Sequence, residues 1–348
     1  MQLLMLGPLP PPYGGTTVEF ETLVRELSEI VEPTDTVDVL NTNLSPLNRL
    51  MLPLRILRSA RAADILFLHC SPRGALVICP YLMIFRRLLR KAMLVRISGG
   101  VFADYYCSCS RPVKYLLDTA VFGSDAVLFE TKHHVEYFKD QHASAQWFPN
   151  SRPFATDEQR GPLPSVCDAH DRETQPPIKV VYFGHIRETK GVTNLVAAAR
   201  QLPDVDIDVY GPFMDHLDES LFNGSHVKYR GVVPGKDVMT RMAEYDLLLF
   251  PTFYQGEGYP GVIIESKVAG LALITTHWLR IPEIVEDEVT GLLIRPDNID
   301  DIVQSVQRLC DDRKLLHTLK QNAYASASSY NLKNWCQKFL AQCRQLIA

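Results

Sequence analysis

Two glutamates eight residues apart, Glu257 and Glu265, stand in the segment PTFYQGEGYPGVIIESKVAG, Pro251 to Gly270. A carboxylate accepts hydrogen bonds from hydroxyl groups, and charge makes those bonds stronger than neutral ones. On one continuous helix eight residues turn through about 800°, so the two side chains would not share a face. Gly256, Gly258, Pro260 and Gly261 argue for a loop instead. Glu257 then lies in the loop, and Glu265 about a turn into a helix whose apolar face is Val262, Ile263, Ile264, Val268 and Ala269. In that arrangement both carboxylates can look into one crevice. Backbone N–H groups between Tyr259 and Val262 open toward it as well, and a helix N-terminus favours an anion. Two acids beside a phosphate-type site suit a ligand with hydroxyls at both ends and phosphates between, which describes a nucleotide-sugar. The pair alone is equally compatible with a charged loop beside a solvated helix glutamate.

Three further stretches carry residues of suitable chemistry. IKVVYFGHIRETKGVTNLVAAAR, Ile178 to Arg200, reads as a strand, then Gly184, then a polar loop holding His185, Arg187 and Lys190, then Gly191 and a helix. GPLPPPYGGTTVEFETLVREL, Gly7 to Leu27, follows the short apolar strand Gln2 to Leu6. Pro10, Pro11 and Pro12 force a loop there. Gly14 and Gly15 then allow close backbone approach to a ligand phosphate, just before a helix that Thr16 or Thr17 can cap. SGGVFADYY, Ser98 to Tyr106, joins the strand Met93 to Ile97 to the next helix. Asp104 in it is a candidate acceptor contact. His69, ending the strand Ile65 to His69, reads as a core histidine.

These stretches resemble the retaining glycosyltransferase family four. The Glu-x7-Glu segment of that family is matched by Glu257, Gly258, Pro260, Glu265, Ala269 and Gly270. The stretch after Ile178 is similar to the family's Gly-Arg-x4-Lys-Gly signature, whose Arg and Lys clamp the donor diphosphate. Lys190 stands at the Lys position. His185 stands at the Arg position, and Arg187, two residues on, is the preferred source of the second charge. SGGVFADYY resembles a His-Gly-Gly-x-Phe segment facing the reacting sugar, with Ser98 in place of the histidine. A serine can hydrogen-bond there but carries no charge at neutral pH. Gly14 and Gly15 resemble the family's first loop, which reaches toward the donor diphosphate. Val233, in GVVPGKDV, occupies a position whose backbone borders the nucleotide base. ITTHWLRIPEIVEDEVTGLLIRPDN is similar to the family's closing segment.

The resemblance covers nearly the whole chain and implies an α/β protein of GT-B architecture, two Rossmann-like doubly wound domains facing a central cleft. Its expected parts are an acceptor domain at 1–152, a linker at 153–177, a nucleotide-sugar-binding domain at 178–329, and a helix at 330–348 crossing back to the first domain. It implies transfer of a sugar from a nucleotide-diphosphate donor to an acceptor hydroxyl, with retention at the anomeric carbon. The reacting centre is then expected to involve Glu257, Lys190, Arg187 and Ser98. Donor contacts are expected from Gly14, Gly15, Gly184, His185, Val233, Tyr259, Pro260, Gly261, Val262 and Glu265, with Glu265 on the ribose. No cofactor and no metal are expected, the nucleotide-sugar being a substrate. Two other readings remain. A catalytically inactive partner subunit would fit the departures at Ser98 and His185. A two-domain sugar-binding protein would share the element order but would normally carry an export signal.

Composition agrees with the alternation of strands and helices. The 348 residues allow two domains, and 46% apolar residues allow full cores. A formal net charge of −4 argues against nucleic acid as the main partner. Eight cysteines are scattered with no Cys-x-x-Cys pair, so reduced cytoplasmic thiols are the simplest account. MQLLMLGPLP has no basic leader, and the apolar run Ala75 to Phe85 is too short to span a bilayer. Two stretches, Leu47–Arg61 and Tyr81–Lys91, read as helices rich in Leu and Arg. A basic amphipathic helix can lie on an anionic membrane surface, and arginines on a solvated face are an equal reading; on the first, a peripheral location on the inner face and a glycan or lipid-linked acceptor are expected.

Overall fold

The computed structural model describes residues 1–12, 14–44, 50–154 and 176–348. Most of the expected linker and the Leu47–Arg49 end of the first basic helix lie outside the described residues. The chain divides into two units, Met1–Pro153 with Tyr330–Ala348, and Phe154–Ser329.

In the first unit six parallel strands run β1 (Gln2–Gly7), β2 (Thr36–Asn41), β3 (Ile65–Cys70), β4 (Ala92–Ile97), β5 (Ala126–Phe129) and β6 (Ala145–Trp147). Their order in the sheet is β2-β1-β3-β4-β5-β6. Residues alternate across the pleat, so each strand feeds two cores. Leu3, Met5, Phe67, Leu94 and Leu128 face α1 (Gly15–Ile30) and α12 (Leu332–Ile347), where Phe20, Leu23, Cys336 and Phe339 close the layer. Leu4, Leu6, Leu68, Val95 and Phe129 face the other side. There they meet α2 (Leu52–Ala60), α3 (Pro72–Leu89), α4 (Phe102–Ser108), α5 (Arg111–Ala120) and α6 (Lys132–Phe138).

The second unit has the strands β7 (Val180–Phe183), β8 (Ile207–Tyr210), β9 (Val227–Tyr229), β10 (Leu247–Phe250), β11 (Ala272–Thr276) and β12 (Leu292–Ile294), in the order β12-β11-β10-β7-β8-β9. That is the dinucleotide-fold order, with its reversal between β7 and β10. Open sheets of this kind take ligands at the carboxyl ends of the two strands flanking the reversal. Its helices are α7 (Val192–Ala199), α8 (Val238–Met242), α9 (Gly261–Ala269), α10 (Ile299–Asp311) and α11 (Arg313–Ser326).

Three local expectations change. The second basic helix begins at Pro72, not Tyr81. Ser71 caps it through the Gly74 N–H, Pro72 takes the first turn, and Pro80 is carried inside the helix. The helix runs through Pro80, and packing of Ala75, Ile78, Cys79, Leu82 and Met83 continues on both sides of it. In α1 neither threonine is the cap. Gly14 holds that position, and the Thr17 hydroxyl accepts from the Gly14 N–H at 3.0 Å. Leu332, Trp335, Phe339 and Leu346 read from the sequence as the apolar stripe of α12, whereas the structure buries Leu332, Cys336, Phe339, Leu340 and Cys343 and leaves Leu346 exposed.

α9 also buries a charge. Lys267 is almost wholly enclosed, and its Nζ donates to the Ile284 carbonyl at 2.5 Å and to Ser326 Oγ at 2.9 Å. Burial lowers its pKa to about 8. An unfolded lysine keeps its proton to about 10.4, so between these values the unfolded chain binds more protons and stability contributed here rises with pH. Lys267→Met removes this dependence. The stability difference between wild type and Lys267→Met, from urea melts, is therefore expected to move in favour of wild type between pH 8 and 10. A difference that stays flat over that range would show that the ammonium is not penalised.

Candidate active site

β7 and β10 lie side by side at the reversal, with Leu247 opposite Val180 and Leu248 opposite Val181. The chain leaves both strands at the same end, so the two loops must meet. They meet at a glycine. Gly191 has φ +77, and a Cβ there would sit 2.0 Å from the Pro251 carbonyl oxygen. Both the left-handed backbone and the close approach require glycine. The Phe253 N–H donates to the Thr189 carbonyl at 2.9 Å, tying the loops again.

This junction brings Lys190 and Glu257 together. Lys190 Nζ donates to Glu257 Oε1 in an ion pair that is largely withdrawn from solvent. The Thr252 hydroxyl, fully buried, donates to the same carboxylate oxygen at 2.9 Å. Lys190 Nζ also lies 4.8 Å from the centroid of the Tyr254 ring, within cation–π range. A buried carboxylate is costly unless charge and hydrogen bonds compensate it, and here an ammonium and a hydroxyl do so. Trp278 Nε1 donates to the Tyr254 carbonyl at 2.9 Å and pins the loop from outside.

The other residues expected on this unit lie at the end of β7, on the loop before α9, in α9 itself and on the loop after β9. Gly184 leaves β7 at φ +150. His185 follows, half-buried, its carbonyl accepting from Tyr182 Oη at 2.8 Å. Burial first, and then the neighbouring Lys190 and Arg187, push its pKa below the ordinary histidine value. His185 is therefore neutral at neutral pH and adds no second positive charge. Arg187 is held by Asp215, with 3.0 Å between Arg187 Nε and Asp215 Oδ2. Its guanidinium lies 5.7 Å from the Tyr254 centroid. Pro260 precedes α9, which Gly261 and Val262 open. Tyr259 is buried and donates from Oη to Glu283 Oε2 at 2.7 Å. Glu265 lies in the middle of α9, partly exposed between the buried Ile264 and Ser266. Val233 is a partly exposed residue of the loop after β9.

Gly14, Gly15 and Ser98 lie in the first unit. A Cβ added to Gly14 or Gly15 would meet nothing within 4 Å, so packing does not demand glycine at either position. Ser98 is buried, with Oγ 2.8 Å from His69 Nε2. That nitrogen is also 3.6 Å from Glu19 Oε2, and Glu19 pairs with the buried Arg96. His69 is fully buried, and burial, aided by Arg96, holds its pKa well below the ordinary value. Ser98 thus shares a hydrogen bond with a neutral imidazole. Beside it the Gly99 N–H donates to Glu130 Oε2 at 2.7 Å. Asp104 is exposed in the first turn of α4.

Thr252, Tyr254 and Asp215 are the contributors that sequence reasoning missed. Thr252 and Tyr254 flank a glutamate that a motif marks, but nothing in their own types or spacing announces a role. Asp215 is remote from Arg187 in sequence, and only the fold brings it near.

Residues 169–326 match the family model described as glycosyl transferases group 1. The α-D-kanosaminyltransferase of Streptomyces kanamyceticus is 25% identical over 286 residues, covering 76% of this chain and 72% of that protein. The O-antigen chain mannosyltransferase B of Escherichia coli is 26% identical over 166 residues, covering 44% of this chain and 42% of its own. Across three curated relatives, the match spans 31%, 72% and 42% of their lengths. Among solved structures, Anabaena HepE in complex with UDP superimposes with a TM-score of 0.75 over 99% of this chain and 100% of HepE, at 16% identity. That likeness shows the fold, two Rossmann-like α/β domains of the GT-B type.

Proposed function

We propose that this chain, whose residues 169–326 match the glycosyl transferases group 1 model, transfers a sugar with retention from a nucleoside-diphosphate donor to the hydroxyl of a glycan or lipid-linked acceptor. The observation that carries the reading is the Lys190–Glu257 pair at the strand reversal. One loop supplies a cation for a diphosphate, and the other supplies a carboxylate for sugar hydroxyls. In the reaction the bond from the anomeric carbon to the diphosphate oxygen breaks while the acceptor oxygen bonds to the same face. The acceptor proton passes to the departing phosphate oxygen. Charge grows on the diphosphate as it leaves. Lys190, Arg187 and the N–H groups opening α9 stabilise it, and such preorganised stabilisation is usually the largest catalytic contribution.

The acceptor class draws on the relatives, among them an O-antigen chain mannosyltransferase. No helix among the described residues is long and apolar enough to cross a membrane. A peripheral position at an anionic inner membrane face would bring a lipid-linked acceptor within reach.

Thermal melts with a panel of nucleotide-sugars test the donor. A ligand at a hundred times its Kd adds about 2.7 kcal/mol to folded-state stability, so at least one UDP- or GDP-sugar is expected to raise the melting temperature clearly. If every member of the panel leaves it unmoved, the donor site is misassigned. The inactive-partner reading draws on Ser98, which is committed to His69, and on the neutral His185. Slow hydrolysis of the stabilising donor separates the two, because an inactive partner binds the donor and releases no sugar.

A further inference from the structure

α3 is apolar on two opposite faces. Ala75, Ile78, Cys79, Leu82 and Met83 are buried against the sheet. Val77, Tyr81, Ile84 and Leu88 point the other way and are 61%, 43%, 54% and 72% exposed. Their spacing of four, three and four places them within about 60° of arc at 100° per residue, one continuous outward stripe. α2 and α5 flank α3. They carry exposed apolar residues of their own, Leu54, 60% exposed, and Tyr115, 74% exposed. Isolated surface apolar residues need no explanation, whereas a contiguous stripe on one helix marks an interaction site.

The charge around the stripe selects the partner. Residues 50–62 and 72–91 contain Arg55, Arg58, Arg61, Arg73, Arg86, Arg87, Arg90 and Lys91, and neither Asp nor Glu, in a chain whose net charge is −4. Among the described residues only Arg86 of these eight is ion-paired, to Asp125. Arg73 stands at the start of the stripe and Arg87 and Arg90 at its end, all exposed. A second copy of this face would bring like charges together. An apolar helix face with cations at both ends and a tyrosine among its apolar residues fits a lipid interface carrying anionic headgroups.

We propose that α3 docks the first unit onto an anionic bilayer by inserting Val77, Tyr81, Ile84 and Leu88 at the acyl boundary, with Arg73, Arg87 and Arg90 among the headgroups. This deepens the reading above by naming the surface that meets a lipid-linked acceptor, and it rests on that reading only for its purpose. Binding has two separable contributions. The arginines attract the protein, and that part is screened within about 10 Å at 0.1 M salt. The apolar stripe holds it, and that part survives salt.

The test uses the full chain with vesicles of phosphatidylcholine, with or without phosphatidylglycerol. Sedimentation should show binding that needs phosphatidylglycerol and weakens, without vanishing, as salt rises. Tyr81→Trp places a reporter in the stripe, and its emission should shift to the blue only with the anionic vesicles. The double variant Ile84→Ser with Leu88→Ser should bind roughly tenfold more weakly or worse, while Arg87→Gln with Arg90→Gln should mainly lower the salt dependence. All these side chains are exposed, so the melting temperature should hold, and thermal stabilisation by UDP should be the same in every variant. Failure of every nucleoside diphosphate to stabilise wild type would count against the transferase reading and leave docking standing. No binding to either vesicle, or binding fully reversed by salt with no tryptophan shift, would overturn the proposal. A dimer in solution that the serine variant converts to monomer would overturn it as well and assign the stripe to a second copy.

Discussion

Lys190→Ala is expected to lower turnover by roughly 10²–10³, the scale for removing one preorganised charge donor from a developing anion. The loops at the reversal make this lysine hard to replace. Gly191 presses against Pro251, and Phe253 bonds to Thr189, so the ammonium is delivered to a fixed place before any ligand arrives. His185 cannot substitute for it, because burial and the neighbouring cations keep its imidazole neutral. Arg187 is the remaining cation on this loop, and Asp215 restrains it. Arg187→Ala should therefore cost more than His185→Ala, and both less than Lys190→Ala. Steady-state turnover under saturating donor measures the effect. The nucleoside monophosphate of the stabilising donor, which lacks the second phosphate, should bind as before. Loss of Lys190 also leaves Glu257 with the Thr252 hydroxyl as its remaining partner of the two, so the melt of the variant must be recorded beside its rate. Normal turnover in a folded Lys190→Ala would remove the phosphate assignment.

Much of this geometry was legible because local chemistry and fold agree. The apolar run Tyr245–Phe250 is of strand length and reads as buried. Glycines then interrupt the pattern, and a helix follows, so the placement of Glu257 in a loop and Glu265 in α9 comes from the chain alone. The pairing of Lys190 with Glu257 was not legible. It depends on β7 and β10 being neighbours, and that adjacency is a property of the sheet, which no sequence spacing reports. The same holds for Thr252. Its hydroxyl matters because β10 delivers it beside a buried carboxylate, and a threonine after a strand is ordinary in itself. Ser98 shows the opposite limit. Its motif was visible, yet its bond to His69 depends on β3 and β4 lying in register, with His69 opposite Arg96. The outward stripe of α3 was not legible in full, because its first member, Val77, precedes the Tyr81 start expected of that helix.

The two carboxylates are expected to divide the donor between them. Glu265 is carried by α9, past the N-terminal turn where a phosphate would sit, and we assign it to the ribose hydroxyls. Glu257 is on the loop from β10 and is assigned to the sugar. A hydrogen bond to a charged acceptor is worth about 1.5–3 kcal/mol, so Glu265→Ala should weaken the nucleoside diphosphate of the stabilising donor, UDP in the uridine case, by roughly tenfold to a hundredfold. Glu257→Ala should behave differently, because Glu257 engages Lys190 when no donor is present. A diphosphate that draws Lys190 away must break that pair, and the released carboxylate then becomes available to a sugar hydroxyl. Removing Glu257 abolishes both the restraint and the later contact. UDP affinity should therefore stay level or rise, while sugar transfer falls and selection between donor sugars differing at one hydroxyl blurs. Glu257→Gln keeps the shape and loses the charge, and it should reproduce the UDP result without the packing change of alanine. Calorimetry with UDP on the three variants, followed by transfer rates with paired donor sugars, reads both halves. Equal losses of UDP affinity for Glu257→Ala and Glu265→Ala would mean that loop and helix do not split the ligand. A loss confined to Glu257→Ala would mean that the donor lies the other way round, with its nucleoside against the β10 loop.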